Sequence, residues 1–138
     1  MNVKDVLAKQ LHFFIENKLD FLDQHYPLLS PHSSERRKIE QLLDHYVQRI
    51  SSHINRSDSA APDFVFIGAT VKVKDLEFQE EETYKICLPE ESDPDKQCIS
   101  FLSPVGRQLL LKQAGAEIPI ETPAGPMRIA VSEIAYEP

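Results

Sequence analysis

At Pro62 the apolar pattern of the chain changes its period, and that change divides the fold. Before it, apolar residues recur every three or four positions, as on one face of a helix; after it they alternate, as along a strand with one buried face. The stretch Ser57-Asp58-Ser59-Ala60-Ala61-Pro62 has no periodicity and ends in proline, so it reads as a linker. The expected domains are residues 1–60 and 61–138.

In the first, Leu7, Leu11, Phe14, Phe21 and His25 share one stripe and Ile15, Leu19, Leu22 and Tyr26 an adjoining one, which predicts a helix from Met1 to Tyr26 stopped by Pro27. Leu28-Leu29-Ser30-Pro31 reads as a turn, with Ser30 a cap and Pro31 the first residue of the next helix. That helix runs to about Arg56, with Ile39, Leu43, Tyr46, Ile50 and His53 at heptad-like spacing and Leu42, Val47 and Ile54 beside them. Two amphipathic helices joined by a few residues pack as an antiparallel hairpin. About 22 residues give an arm of about 33 Å.

In the second, Val71 and Val73 alternate with Lys72 and Lys74, and an acidic loop from Glu77 to Glu82 leads into Thr83 to Leu88. Ile99 and Phe101 mark another strand. Antiparallel pairing of Tyr84 with Phe101 and Ile86 with Ile99 sets Cys87 opposite Cys98, read as two thiols side by side, with a disulfide switch as the alternative. Ser103 then caps a helix whose first residue is Pro104, whose apolar face is Leu109 to Leu111, and whose C′ residue is Gly115. Ile118 and Ile120 with Met127, Ile129 and Val131 make a closing hairpin over Thr122 to Pro126. Strands with one inserted helix give an α+β domain.

The charge bounds the partners. Residues 1–60 hold 8 Lys+Arg against 8 Asp+Glu, and residues 61–138 hold 7 against 14, so the second domain carries the whole net charge of −7. Direct binding to a nucleic-acid backbone is not expected of such a surface. No apolar run approaches the roughly 20 residues of a membrane span, which makes a cytoplasmic protein without membrane contact the expectation. No Ser-His-Asp set, glycine-rich phosphate loop or zinc spacing appears.

Ile99-Ser-x-x-Ser103-Pro104-x-Gly106-Arg107-x-Leu109-Leu110 resembles the signature of the C-terminal domain of the Gre transcription elongation factors. Phe66 to Val73 resembles that domain's opening strand, Tyr84 to Ile86 its second, Thr122 to Gly125 its late turn and Ile134 to Tyr136 its last strand. The resemblance covers roughly residues 62 to 138. It implies an antiparallel sheet with one helix, like the FK506-binding proteins, that docks on RNA polymerase at the rim of the secondary channel. It also implies that the hairpin enters the channel, where two tip acids help to hold a Mg²⁺ of the polymerase's own site.

The family's tip motif, Asp-x-x-Glu-Asn-Ala-Glu-Tyr, is absent as such. The nearest match, Asp20 to Tyr26, keeps carboxylates at Asp20 and Asp23 but loses Asn-Ala-Glu. These two are the candidate metal-holding residues, and Arg36, Arg37 and Lys38 lie across the turn to pair with them instead. Leu102, Ser103 and Pro104 form the candidate partner-binding edge, with Leu102 where some relatives carry an acid and Ala116 where Gly-Asp is usual. The leading expectation is a Gre-like or Rnk-like polymerase-binding factor that modulates elongation or initiation without efficient transcript cleavage. In that reading it is not an enzyme and has no cofactor of its own beyond Mg²⁺ shared with the polymerase. A true cleavage-stimulating factor using Asp20 and Asp23 is the alternative. A prolyl isomerase on the same fold is the third, disfavoured by the lack of Trp and of an evident aromatic-lined pocket.

Overall fold

The computed structural model describes residues 3–27, 33–56 and 62–136. The chain divides into two compact units, Met1–Ala61 and Pro62–Pro138. The turn expected at Leu28 to Pro31 and most of the expected linker lie outside the described residues.

The first unit is a hairpin of α1 (Val3–His25) and α2 (Ser33–Ile54). Ile39, Leu43, Tyr46, Ile50 and His53 are all buried, at alternating spacings of four and three that keep one seam turned to α1. Leu7, Phe14, Phe21 and Leu22 answer them, and the Phe14 ring meets the Tyr46 ring edge-on at 6.1 Å. Antiparallel polar contacts flank the seam. The Lys4 ammonium donates to the Arg56 carbonyl at 2.8 Å, Tyr46 donates to the Gln10 side chain, and Lys18 lies 3.0 Å from Asp44 and 3.3 Å from Glu40. The adjoining stripe of α1 is only partly used. Leu22 is buried, but Ile15 and Leu19 are 60% and 63% exposed, because a two-helix hairpin has a single seam and these residues project beside it.

In the second unit Phe64 to Ile67 form a buried entry segment, and the strands are β1 (Thr70–Asp75), β2 (Glu81–Cys87), β3 (Cys98–Ser100), β4 (Glu117–Thr122) and β5 (Gly125–Ala135). They form one curled sheet in the order β3-β2-β1-β5-β4, and a short helix, α3 (Pro104–Leu109), is inserted between β3 and β4. This is the two-helix hairpin followed by an α+β domain. Val71, Val73, Ile86, Phe101, Leu109, Ile129 and Val131 fill its core. Among the described residues no helix is long and apolar enough to cross a membrane.

Two local expectations are corrected. β3 runs parallel to β2, pairing Lys85 with Cys98, Ile86 with Ile99 and Cys87 with Ser100. Ile86 does meet Ile99, but Tyr84 does not meet Phe101, and the free thiols of Cys87 and Cys98 are not opposite each other. The cause lies in the connection. A one-turn helix at Pro89–Glu91 follows β2, and a second at Pro94–Lys96 lies within a turn that Asp93 and Cys98 close by exchanging backbone hydrogen bonds (2.9 and 3.0 Å), so that β3 leaves in the direction of β2. The helix after Ser103 also stops at Leu109, well before Gly115. Leu111 turns left-handed (φ 70°), and the Leu111 amide donates to Val65 at 2.8 Å while the Val65 amide donates to Lys112 at 2.9 Å. Pairing with the buried entry segment draws the chain out of the helix and leaves Leu109 and Leu110 in the core.

Candidate functional site

The Ser-Pro-x-Gly-Arg stretch is one hydrogen-bonded device. Ser103 is extended (φ −65°, ψ 159°), and its hydroxyl accepts from the Gly106 amide at 3.1 Å while donating to the Ser100 carbonyl at 2.7 Å. The cap therefore also clamps the end of β3 to the first turn of α3. Pro104 takes the first helical position, where no amide is needed. Gly106 is required by proximity: a Cβ there would lie 2.1 Å from the Ser100 carbonyl oxygen. Arg107 completes the device by donating from Nε (3.1 Å) and Nη2 (2.8 Å) to the Leu102 carbonyl. The backbone at Leu102 is pinned from both sides, since its amide donates to Ser100 Oγ at 3.0 Å. Leu102 and Ser103 are left half-buried and Pro104 exposed, so the three residues form one fixed edge.

A pocket of about 360 Å³ opens beside this edge, and Val105, the next residue, already lines it. Its floor is apolar, made by Val73, Leu109, Ile120, Met127 and Ile129. Its rim carries Asp75, Glu80 and Glu82. Tyr84 stands between floor and rim and donates its hydroxyl to Glu82; burial first, then that carboxylate, push its pKa up to about 12, so it remains a neutral donor. Gln108 ties α3 to β4, its amide exchanging two 2.8 Å bonds with the Glu121 backbone. Sequence reasoning missed this pocket and Gln108, because the lining comes from separated strands and a helix whose adjacency the linear pattern does not reveal. The chemistry on offer is recognition. An apolar cavity ringed by carboxylates suits an apolar side chain with cationic neighbours.

At the far end of the hairpin, Asp20 and Asp23 are both exposed. Asp23 Oδ1 accepts from Arg36 Nη1 at 2.9 Å, and the same guanidinium nitrogen donates to the Tyr26 carbonyl at 2.9 Å. Of the three cations across the turn, Arg36 is thus the one that takes Asp23. That pair occupies one carboxylate oxygen of Asp23, whereas holding Mg²⁺ calls on negatively charged oxygen donors.

Residues 60–136 match the family model for the transcription elongation factor GreA/GreB C-terminal domain. The chain is 40% identical over 80 residues to transcription elongation factor GreA of Desulfovibrio desulfuricans, covering 58% of this chain and 49% of that protein. It is 34% identical over 105 residues to GreA of Nitratidesulfovibrio vulgaris strain Miyazaki F, covering 75% and 66%. The chain thus spans about half to two thirds of the length of the curated relatives it matches. Among solved structures, a GreA/GreB factor from Nitrosomonas europaea is similar at 25% identity with a TM-score of 0.50, over 72% of this chain and 93% of that one. Gfh1 of Thermus aquaticus shares the fold at 19% identity and a TM-score of 0.50, over 95% and 92%. The expectation that the chain is not an enzyme is corrected by these relatives. They are named GreA, and the resemblance gives that family a part in transcript cleavage, so the exclusion is withdrawn.

Proposed function

The chain belongs to the GreA/GreB transcription elongation factor family through its C-terminal domain, and on that premise we propose that it binds RNA polymerase through this domain, at the rim of the secondary channel, and modulates elongation or initiation there. One observation supports the reading above the others. The edge Leu102-Ser103-Pro104 is held rigid by the Ser103 and Arg107 bonds and sits next to an apolar pocket with an acidic rim. A fixed edge beside a pocket is what a protein partner can grip at little cost in ordering.

The test is binding of the fluorescently labelled full chain to the cognate core polymerase, with unlabelled GreA as competitor. Leu102→Ser combined with Pro104→Glu, at positions outside the buried core, should weaken binding about tenfold or more, the effect of losing about 1.4 kcal/mol of contact. Unchanged affinity, or no competition by GreA, would sink this reading.

At the hairpin, the Asp23–Arg36 pair supports a factor that stimulates transcript cleavage only weakly. The second reading, a strong cleavage-stimulating factor working through Asp20 and Asp23, is favoured by the GreA names of the relatives. In both, the Mg²⁺ is the polymerase's own. The rate of RNA shortening in a backtracked elongation complex separates them. Strong acceleration abolished by Asp20→Asn with Asp23→Asn selects the second.

A further inference from the structure

One flank of the hairpin carries an open groove of about 760 Å³ beside a break in α1, where Asn17 leaves the helical region (φ −123°, ψ 18°). Phe14 and Val47 lie along it, and Ile15 and Leu19, four apart on α1, raise an apolar ridge that is more than half exposed. The charged groups lining it are Glu16, Asp20, Glu40 and Asp44 against Lys18 alone. Four carboxylates against one ammonium leave the groove at −3, and Lys18 is already shared between Glu40 and Asp44.

This combination selects its occupant. An anionic lipid surface or a nucleic-acid backbone would be repelled. A second copy joined by a two-fold axis would set this acidic face against itself. The lining spans residues 14–20 and 40–48, about two turns of each helix, or roughly 10–12 Å. A third helix laid along that length can seat apolar residues on the Ile15–Leu19 ridge while its flanking cations meet the rim acids. We infer that this flank is a docking site for a basic amphipathic helix of a partner protein. The inference stands apart from polymerase binding by the C-terminal domain, and its test contains no polymerase.

The probe is a fluorescent synthetic peptide of about 14 residues, long enough for about four helical turns, with Leu on one face and Lys on the flanks. A shuffled peptide of the same composition, without a helical face, is its control. The full chain should bind the amphipathic peptide with amide shifts centred on residues 14–20 and 40–48. Leu19→Gln and Ile15→Gln, at exposed positions where helix content by circular dichroism should hold, should each weaken binding about tenfold, the loss of about 1.4 kcal/mol of contact. Equal binding of the shuffled peptide, or equal binding by both variants, would reduce the effect to attraction towards the acidic C-terminal domain and overturn the proposal. So would a dimer of the chain that Leu19→Gln dissolves, since the occupant would then be a second copy.

Discussion

Arg36 holds Asp23 at 2.9 Å and, through the same nitrogen, the Tyr26 carbonyl at the end of α1 at 2.9 Å. The two partners are unequal. The Arg36 side chain is 11% exposed and that of Asp23 is 61%, so the exposed carboxylate contributes little and the buried guanidinium much. Asp23→Asn should cost about 0–1 kcal/mol of hairpin stability. Arg36→Met should cost about 1–3 kcal/mol, because it also strips a helix-end carbonyl of its donor. Urea unfolding followed by the helical signal checks the order; equal losses would mean that the Tyr26 contact carries no weight. Arg36→Gln should also raise RNA shortening in backtracked complexes if pairing is what withholds Asp23.

Gly106 should tolerate no side chain. A methyl group there must displace the Ser100 carbonyl and the Ser103 hydroxyl, which approach its position at 2.1 and 2.9 Å. Gly106→Ala should destabilise the C-terminal domain by about 1–3 kcal/mol or more, despite alanine's better helix propensity. Ser103→Ala, which removes the cap but adds no clash, should cost about 0.5–2 kcal/mol. Thermal unfolding of the full chain gives both values, and a neutral Gly106→Ala would show that α3 can lift away from β3 freely.

How much of this was legible in the sequence depended on whether the cause was local. The α2 seam was, because the spacing from Ile39 to His53 encodes one face, and so was the Ser103 cap, because serine before proline is a helix start on its own. The acid–base pairing across the hairpin end was legible as a set of three cations, from which burial of Arg36 selected one. The direction of β3 was not. It depends on a backbone exchange between Asp93 and Cys98 that no side chain announces. The pocket was hidden for a related reason, since Val73, Val105 and Met127 become neighbours only once the sheet has curled around α3.

The two thiols should differ in reactivity. Burial first, then Cys98 and the acids Glu91 and Glu90, push the Cys87 pKa up to about 11. At pH 8 its thiolate fraction is then about 1 in 1,000, against about 1 in 4 for a free cysteine. Iodoacetamide should modify half-buried Cys98 first and Cys87 at least about 100-fold more slowly than a model thiol. Below pH 11 the Cys87 rate should rise about tenfold per pH unit. Peptide mass spectrometry reads both sites, and early labelling of Cys87 would mean that β2 and β3 part readily.

Lys18 gives the hairpin a pH dependence with a definite sign. Its hydrogen bond to Asp44, aided by Glu40 and opposed by burial, raises its pKa above the ordinary 10.5. The folded hairpin therefore binds this proton more tightly than the unfolded chain does. The stabilisation is fully present below the ordinary lysine pKa and is lost as pH rises through the raised value. With Asp44 more than half exposed, the coupling between Lys18→Met and Asp44→Asn in a double-mutant cycle should be only about 0.2–1 kcal/mol. It should stay constant between about pH 7 and 9 and shrink above about pH 10.5. Urea unfolding of the four proteins across that range tests this, and a coupling that grew with pH would assign the stabilisation to something other than the ammonium.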